Sequence, residues 1–350
     1  MFSRAVVLAA GAAAAGSVAF ASPAGPRLLT IAVSRAPIDG LVQDGTTVAW
    51  RTPCDGVRVT VRSVRGGRDA SFGQCGLGTS DRRFFALAGR QALWTTESVG
   101  NGTWSYPATA APGERPRSLA ELEYDNADLV GTHLGGAAGD GSTLVYSTVE
   151  VGVDPVTCDS EGFGCTPIVR GGRIRRVLGG RVVASPVTTP AFLLAASGRR
   201  IALVVAFASP GERFARLGPD RAVELRDVVT GRRTGRFVPD GTVRALALAP
   251  TYAAVLVADD RGRRIERYSL DGRRLSAASV PGTAADELGA SGSAVVFGVG
   301  RSIRVLDVRL GTVRTVATAR SRPVGLSIES NRVMWAERAG GRSFVRALWL

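Results

Sequence analysis

The chain has 350 residues, 44 basic and 30 acidic side chains, and a formal net charge of +14. Every basic residue is an arginine, which excludes a phosphate-loop lysine, a lysine Schiff base and an ammonium nucleophile. A single histidine, His133, excludes metal sites built on several imidazoles. The arginines are spread over nearly every strand and turn rather than clustered in one motif, so they argue for a generally positive surface and against a specific nucleic-acid reader.

At the N-terminus, Arg4 precedes a run of small and apolar residues from Ala5 to Ala21, ending in Ala19-Phe20-Ala21 before Ser22-Pro23. A small-x-small ending on such a run predicts a signal peptide over residues 1–21 and a single mature domain over residues 22–350. The alternative is that the segment is retained as an anchor. No later segment is long and uncharged enough to predict a membrane span, so the expected location is secreted or extracytoplasmic, in the cell envelope. Four cysteines, an even number, suit an oxidising compartment, and their count alone permits three pairings.

A seven-residue pattern then recurs: a turn pair, two mostly polar residues, two apolar ones and a large apolar or aromatic one. It reads Asp44-Gly45-Thr46-Thr47-Val48-Ala49-Trp50, and returns closely at Ala88–Trp94 and Asp140–Tyr146. Looser copies lie at Ser197–Leu203, Ala249–Val255, Ser291–Phe297 and Glu329–Trp335. The last residues fall at 50, 94, 146, 203, 255, 297 and 335, steps that suit a four-stranded blade of about 40–50 residues. Each copy predicts the hairpin between an inner strand and the second strand. A second signature, Leu225–Arg232, Ile265–Gly272 and Val305–Thr312, predicts third strands turning into fourth strands at a Thr-Gly, Asp-Gly or Gly-Thr pair.

This alternation of Asp/Ser-Gly, a short strand ending in Trp, and a later strand ending in Thr-Gly or Asp-Gly resembles secreted bacterial propellers of the WD-repeat-like (WD40-like) and TolB-like class, over essentially all of residues 27–350. The fold expected is all-β: a seven-bladed β-propeller closed by pairing the N-terminal strand Leu28–Val33 with the C-terminal blade, which removes two exposed edges. In such a ring the 2–3 loops and the blade-to-blade crossings share one face. Cys54 and Cys75 should meet on that face, and Cys158 should pair locally with Cys165 inside one 2–3 loop. The two longest loops, Val153–Pro167 and Ser209–Asp220, fall on the same face. They offer Asp154, Asp159, Glu161, Arg213 and Arg216 as candidate binding residues.

No catalytic residue and no metal site is assigned, and no cofactor is expected. His133, beside Gly135-Gly136, reads as structural or channel-lining, and the glycine-rich run to Gly141 as an inner-strand turn. The expected function is an exported, non-catalytic propeller that binds or scaffolds a protein or an anionic cell-envelope polymer. The alternative is a propeller hydrolase or lyase acting on extracellular carbohydrate with paired carboxylates, drawn from Asp39, Asp128, Asp286 and Glu287.

Overall fold

The computed structural model describes residues 27–350 except 55, 76–83, 126–129, 159–164, 184, 207–214 and 217–220. The expected signal peptide lies outside these residues. The recurring motif forms hairpins as its chemistry requires. Its second residue takes the left-handed conformation at Gly45, Gly89, Gly141, Gly198 and Gly292, with φ between 53° and 58°. At Glu329-Ser330 the same turn is made by Ser330 at φ 54°, where a Cβ crowds the backbone.

The strands are organised around a ring. Blade I comprises Gly40–Asp44, Thr47–Pro53, Gly56–Ser63 and Ala70–Cys75. Blade II comprises Leu193–Ser197, Arg200–Ala206, Arg221–Asp227 and Arg233–Phe237. Blade III comprises Thr242–Leu248, Tyr252–Asp259, Gly262–Ser269 and Arg274–Val280. Blade IV comprises Ala284–Ser291, Ala294–Val299, Ser302–Asp307 and Thr312–Thr318. Blade V comprises Val324–Glu329, Arg332–Ala339, Arg342–Trp349 and, as its outer strand, the N-terminal Arg27–Ser34. That outer strand runs antiparallel to Arg342–Trp349, from Arg27 opposite Trp349 to Ser34 opposite Ser343, with one shift of register between Thr30 and Ala32.

The expectation of seven four-stranded blades is overturned. Among the described residues five such blades form, and the segment between Phe85 and Val183 instead makes, together with the short strand Ala215–Arg216, one ten-stranded sheet. The join is Leu122–Asp125, which pairs with Gly102–Ser105 on one side and with Val130-Gly131 on the other. Three strands of this sheet, Val130–Asp140, Thr143–Asp154 and Thr166–Leu178, run to 11, 12 and 13 residues. The first-strand end that meets Leu122–Asp125 belongs to that extra length, so the excess length carries the hydrogen bonding across what would have been a gap. The inner strands still touch in a closed circuit: Gly40–Asp44 lies against both Val324–Glu329 and Phe85–Ala88, and Phe85–Ala88 against Val130–Asp140.

The last residue of each motif copy is buried. Trp50, Trp94, Tyr146, Leu203, Val255, Phe297 and Trp335 are each 5% exposed or less. Each packs on the sheet before it: Trp50 against Met334, Ala336 and Val345 of blade V, and Trp335 against Val296, Ile303 and Val305 of blade IV. We expect Ser330→Gly to stabilise the protein by about 0.5–1 kcal/mol, because it removes the left-handed Cβ penalty while keeping the turn. Chemical denaturation measures this, and an unchanged or lowered midpoint contradicts it.

Candidate functional site

Strand direction defines the two faces. Gly40, at the start of an inner strand, sits opposite Arg51 near the end of the second strand, whereas Asp44 sits opposite Thr47 at the hairpin. The starts of inner strands, the 2–3 loops and the crossings therefore share one face, and the motif turns share the other. Both disulfides are on the first face. Cys54 bonds Cys75, with Cα atoms 5.2 Å apart, and Cys158 bonds Cys165 at 4.1 Å.

From this face the three long strands project as a wall. The loop at its tip opens at Asp154, whose Oδ1 accepts the Val156 amide at 3.1 Å and whose carbonyl accepts the Thr157 amide at 3.1 Å. Asp154 is thus engaged in its own turn. Arg216 lies in the short strand Ala215–Arg216, which pairs with Ile168 and Val169 of the wall, so the second long loop is tied to the first. Asp159, Glu161 and Arg213 lie outside the described residues, as does Asp128. Exposed valines mark the top of the wall and its neighbour: Val156 is 88% exposed, Val99 65% and Val130 38%.

Between the inner strands, the same face opens into a cavity of about 620 Å³. It gathers three of the four acids read from the sequence: Asp39, Asp286 and Glu287. Two of them are already neutralised. The buried Arg51 grips Asp39 through Nε–Oδ1 at 3.0 Å and Nη2–Oδ2 at 3.3 Å, and Arg263 Nη1 bonds Asp286 at 2.8 Å. Glu287 Oε2 accepts the Leu326 amide of the next blade at 2.9 Å.

The opposite end of the channel holds a cluster the sequence reading missed. Carboxylate oxygens of Asp44, Asp140 and Glu329 all lie within 4.8 Å of one another. Asp44 Oδ2 accepts the Gly89 and Gly141 amides, and Asp140 Oδ2 accepts the Gly198 amide. These acids occupy the first position of three motif copies, so the repeat itself carried the signal. Burial, then repulsion from Asp140 and Asp44, pushes the Glu329 carboxyl up. Burial also pushes Asp140 up, opposed by the Gly198 amide and reinforced by Asp44. Three hard oxygen donors at this spacing match the chemistry of a divalent cation such as Ca²⁺ or Mg²⁺.

His133 packs its ring on that of Tyr124, with centroids 3.6 Å apart, inside the ten-stranded sheet. The glycine-rich run is corrected from an inner-strand turn to strand: only Gly141 is at the turn. Gly135 allows the Ala191 carbonyl to approach to where a Cβ would stand, 1.8 Å from the position of such an atom.

No protein-family model matches the chain, and no curated protein matches its sequence. Solved structures match its fold. The β-propeller domain of the Trilobed protease from Pyrococcus furiosus superposes with a TM-score of 0.56 at 10% identity, over 90% of this chain and 95% of that one. That domain has an open velcro topology, whereas here the first and last strands share a sheet. Pyrococcus horikoshii acylaminoacyl peptidase gives 0.56 at 10% identity over 90% of this chain, which spans only 51% of the peptidase. The Neurospora crassa Pan2 WD40 domain gives 0.50 at 9% identity, over 91% and 95%. The chain therefore has a β-propeller fold.

A carboxyl with a raised folded-state pKa favours folding most below its unfolded value near 4.3, and that contribution is lost as pH rises through the folded value. Glu329→Gln should therefore raise Tm at pH 7 in chelator by about 1–2 °C, a small shift because solvent screens the cluster. The gain should vanish by about pH 3.5. Thermal melts at the two pH values check this; a loss of stability at pH 7 contradicts it.

Proposed function

We propose that this is an exported, non-catalytic propeller that binds an acidic protein partner through the face carrying both disulfides. The observation that carries the reading is the wall of long strands, Val130–Asp140, Thr143–Asp154 and Thr166–Leu178, raised above a closed ring and tipped with exposed apolar side chains. A rigid scaffold that displays long, stapled loops on one side is suited to recognition. The Cys158–Cys165 bridge closes the tip loop and limits the entropy lost when a partner orders it. Arg170 and Arg173 are exposed along the third strand of the wall, and the chain's charge of +14 selects for acidic surfaces.

Two further observations favour binding over carbohydrate hydrolysis. Glycosidic cleavage needs one carboxyl free to donate a proton and another free to attack or activate water. Asp39 and Asp286 are each committed to a guanidinium. Export is supported by the Ala19-Phe20-Ala21 ending and by two disulfides, which persist in oxidising compartments. Among the described residues no helix is long and apolar enough to cross a membrane.

Cross-linking of the chain in envelope extract, washed at low and high salt, tests the partner. Val130→Asp with Val156→Asp should abolish capture of any protein that survives the high-salt wash, while Arg309→Glu, in the exposed turn between the third and fourth strands of blade IV on the opposite face, should leave it unchanged. Capture indifferent to the valine pair, or lost entirely at high salt, contradicts a built docking surface. N-terminal sequencing of the exported chain should begin at Ser22; a start at Met1 contradicts cleavage.

A further inference from the structure

We propose that the wide mouth of the channel is a binding pocket for a monoanionic ligand with an apolar body, its charge held between Arg244 and Arg322. The pocket is built by backbone irregularities at one height on three successive blades. The pairing register shifts between Val243 and Ala245 in blade III, between Ala284 and Leu288 in blade IV, and between Val324 and Ser327 in blade V. The residues released by these bulges, Arg244, Asp286, Glu287 and Leu326 among them, line the cavity. A bulge re-aims a side chain that regular pairing would point along the pleat, and bulges of this kind gather next to functional sites.

Charge then decides the ligand's sign. Three carboxylates line the cavity, and four guanidiniums face or flank them: Arg51 on Asp39, Arg263 on Asp286, and Arg244 and Arg322 in the wall. The surplus is one positive charge. It sits on exposed arginines that have no ion pair or side-chain hydrogen bond among the described residues. Glu287 is tied to the Leu326 amide of blade V and so fixes the two bulges to each other. Between the charges the wall is apolar: Leu193, Leu194, Leu246 and Leu288 are half-buried there, with Leu41 and Leu326 behind them. A volume of about 620 Å³ lies within the range of small-molecule sites. A carboxylate on an aliphatic body matches all three features, because a guanidinium pairs with it through two parallel hydrogen bonds while the leucines cover the chain.

That chemistry has two sources, a free aliphatic acid or the C-terminal residue of a peptide. Equilibrium binding of four probes to the full chain separates them: decanoate, decanol, a peptide ending in Leu-Leu with a free carboxylate, and its C-terminal amide. At least one carboxylate should bind, and its neutral counterpart at least tenfold more weakly. Arg244→Gln with Arg322→Gln should weaken the carboxylate at least tenfold with Tm unchanged, since neither side chain supports the fold. The Val130→Asp and Val156→Asp pair should leave it unchanged, so that failure of the partner reading and failure of this one are distinguishable. The proposal is overturned if no probe binds, if neutral probes bind as tightly as carboxylates, or if the double arginine variant retains full affinity.

Discussion

A ring of sheets has no central layer to hide its flanks, so each sheet is covered only by its neighbours. The contact that meets this constraint is the large side chain at the end of each motif copy, buried against the preceding sheet. Phe297 is fully buried among Leu256, Ile265 and Leu306, and Trp94 packs with Val57, Val59 and Phe72 of blade I. Each such burial stabilises by roughly 2–3 kcal/mol relative to an exposed ring or chain. Rotational repetition demands the same filler at the same height each time, which is why Trp, Tyr, Phe, Leu and Val alternate in one role. Trp50 on blade V makes that set of contacts continuous around the ring.

The complete replacement of lysine by arginine shapes the interior as well as the surface. Glu266, fully buried in blade III, accepts Arg264 Nε at 2.6 Å, Arg274 Nη2 at 2.9 Å and Tyr268 Oη at 2.6 Å. Glu224 in blade II is held by Arg226 at 2.7 Å and Arg233 at 3.2 Å. Glu337 in blade V takes Arg346 Nε at 2.8 Å, Trp335 Nε1 at 3.2 Å and the Arg320 amide at 2.9 Å. Burial pushes Glu337 up, yet the Arg320 amide and Arg346 outweigh it and hold the carboxyl below the usual range. Burial, followed by the bond to Glu266, pushes the Tyr268 phenol well up. Planar forks with several donors satisfy a buried carboxylate that a point-like ammonium would leave partly bare. Removing one member of such a set is therefore more damaging than its net contribution to folding suggests.

How much of this was legible depended on whether a feature repeats. The motif hairpins were readable because the same turn returns at Gly45, Gly89, Gly141, Gly198 and Gly292. Both disulfides followed once Cys54 and Cys75 were placed at strand ends on one face and Cys158 and Cys165 inside one 2–3 loop. The fused ten-stranded sheet was not readable, because its join is a four-residue strand, Leu122–Asp125, with no pattern of its own. Asp39 was recognised as a channel acid, but its commitment to Arg51 depends on the register that sets Gly40 opposite Arg51. Asp44, Asp140 and Glu329 stood in plain view as turn residues; only ring closure brings positions so distant in sequence into one cluster.

Joining Arg27–Ser34 to Arg342–Trp349 has a temporal consequence. A ribosome releases the first strand hundreds of residues before its partner, so that strand waits through nearly the whole of synthesis with its hydrogen-bonding edge unmet. Native closure is therefore a late event. A product cut short anywhere upstream of Arg342 would leave unpaired the two edges that meet between Arg27–Ser34 and Arg342–Trp349. The ring cannot lock before its last sheet has arrived, so closure acts as a check that the whole chain has been made.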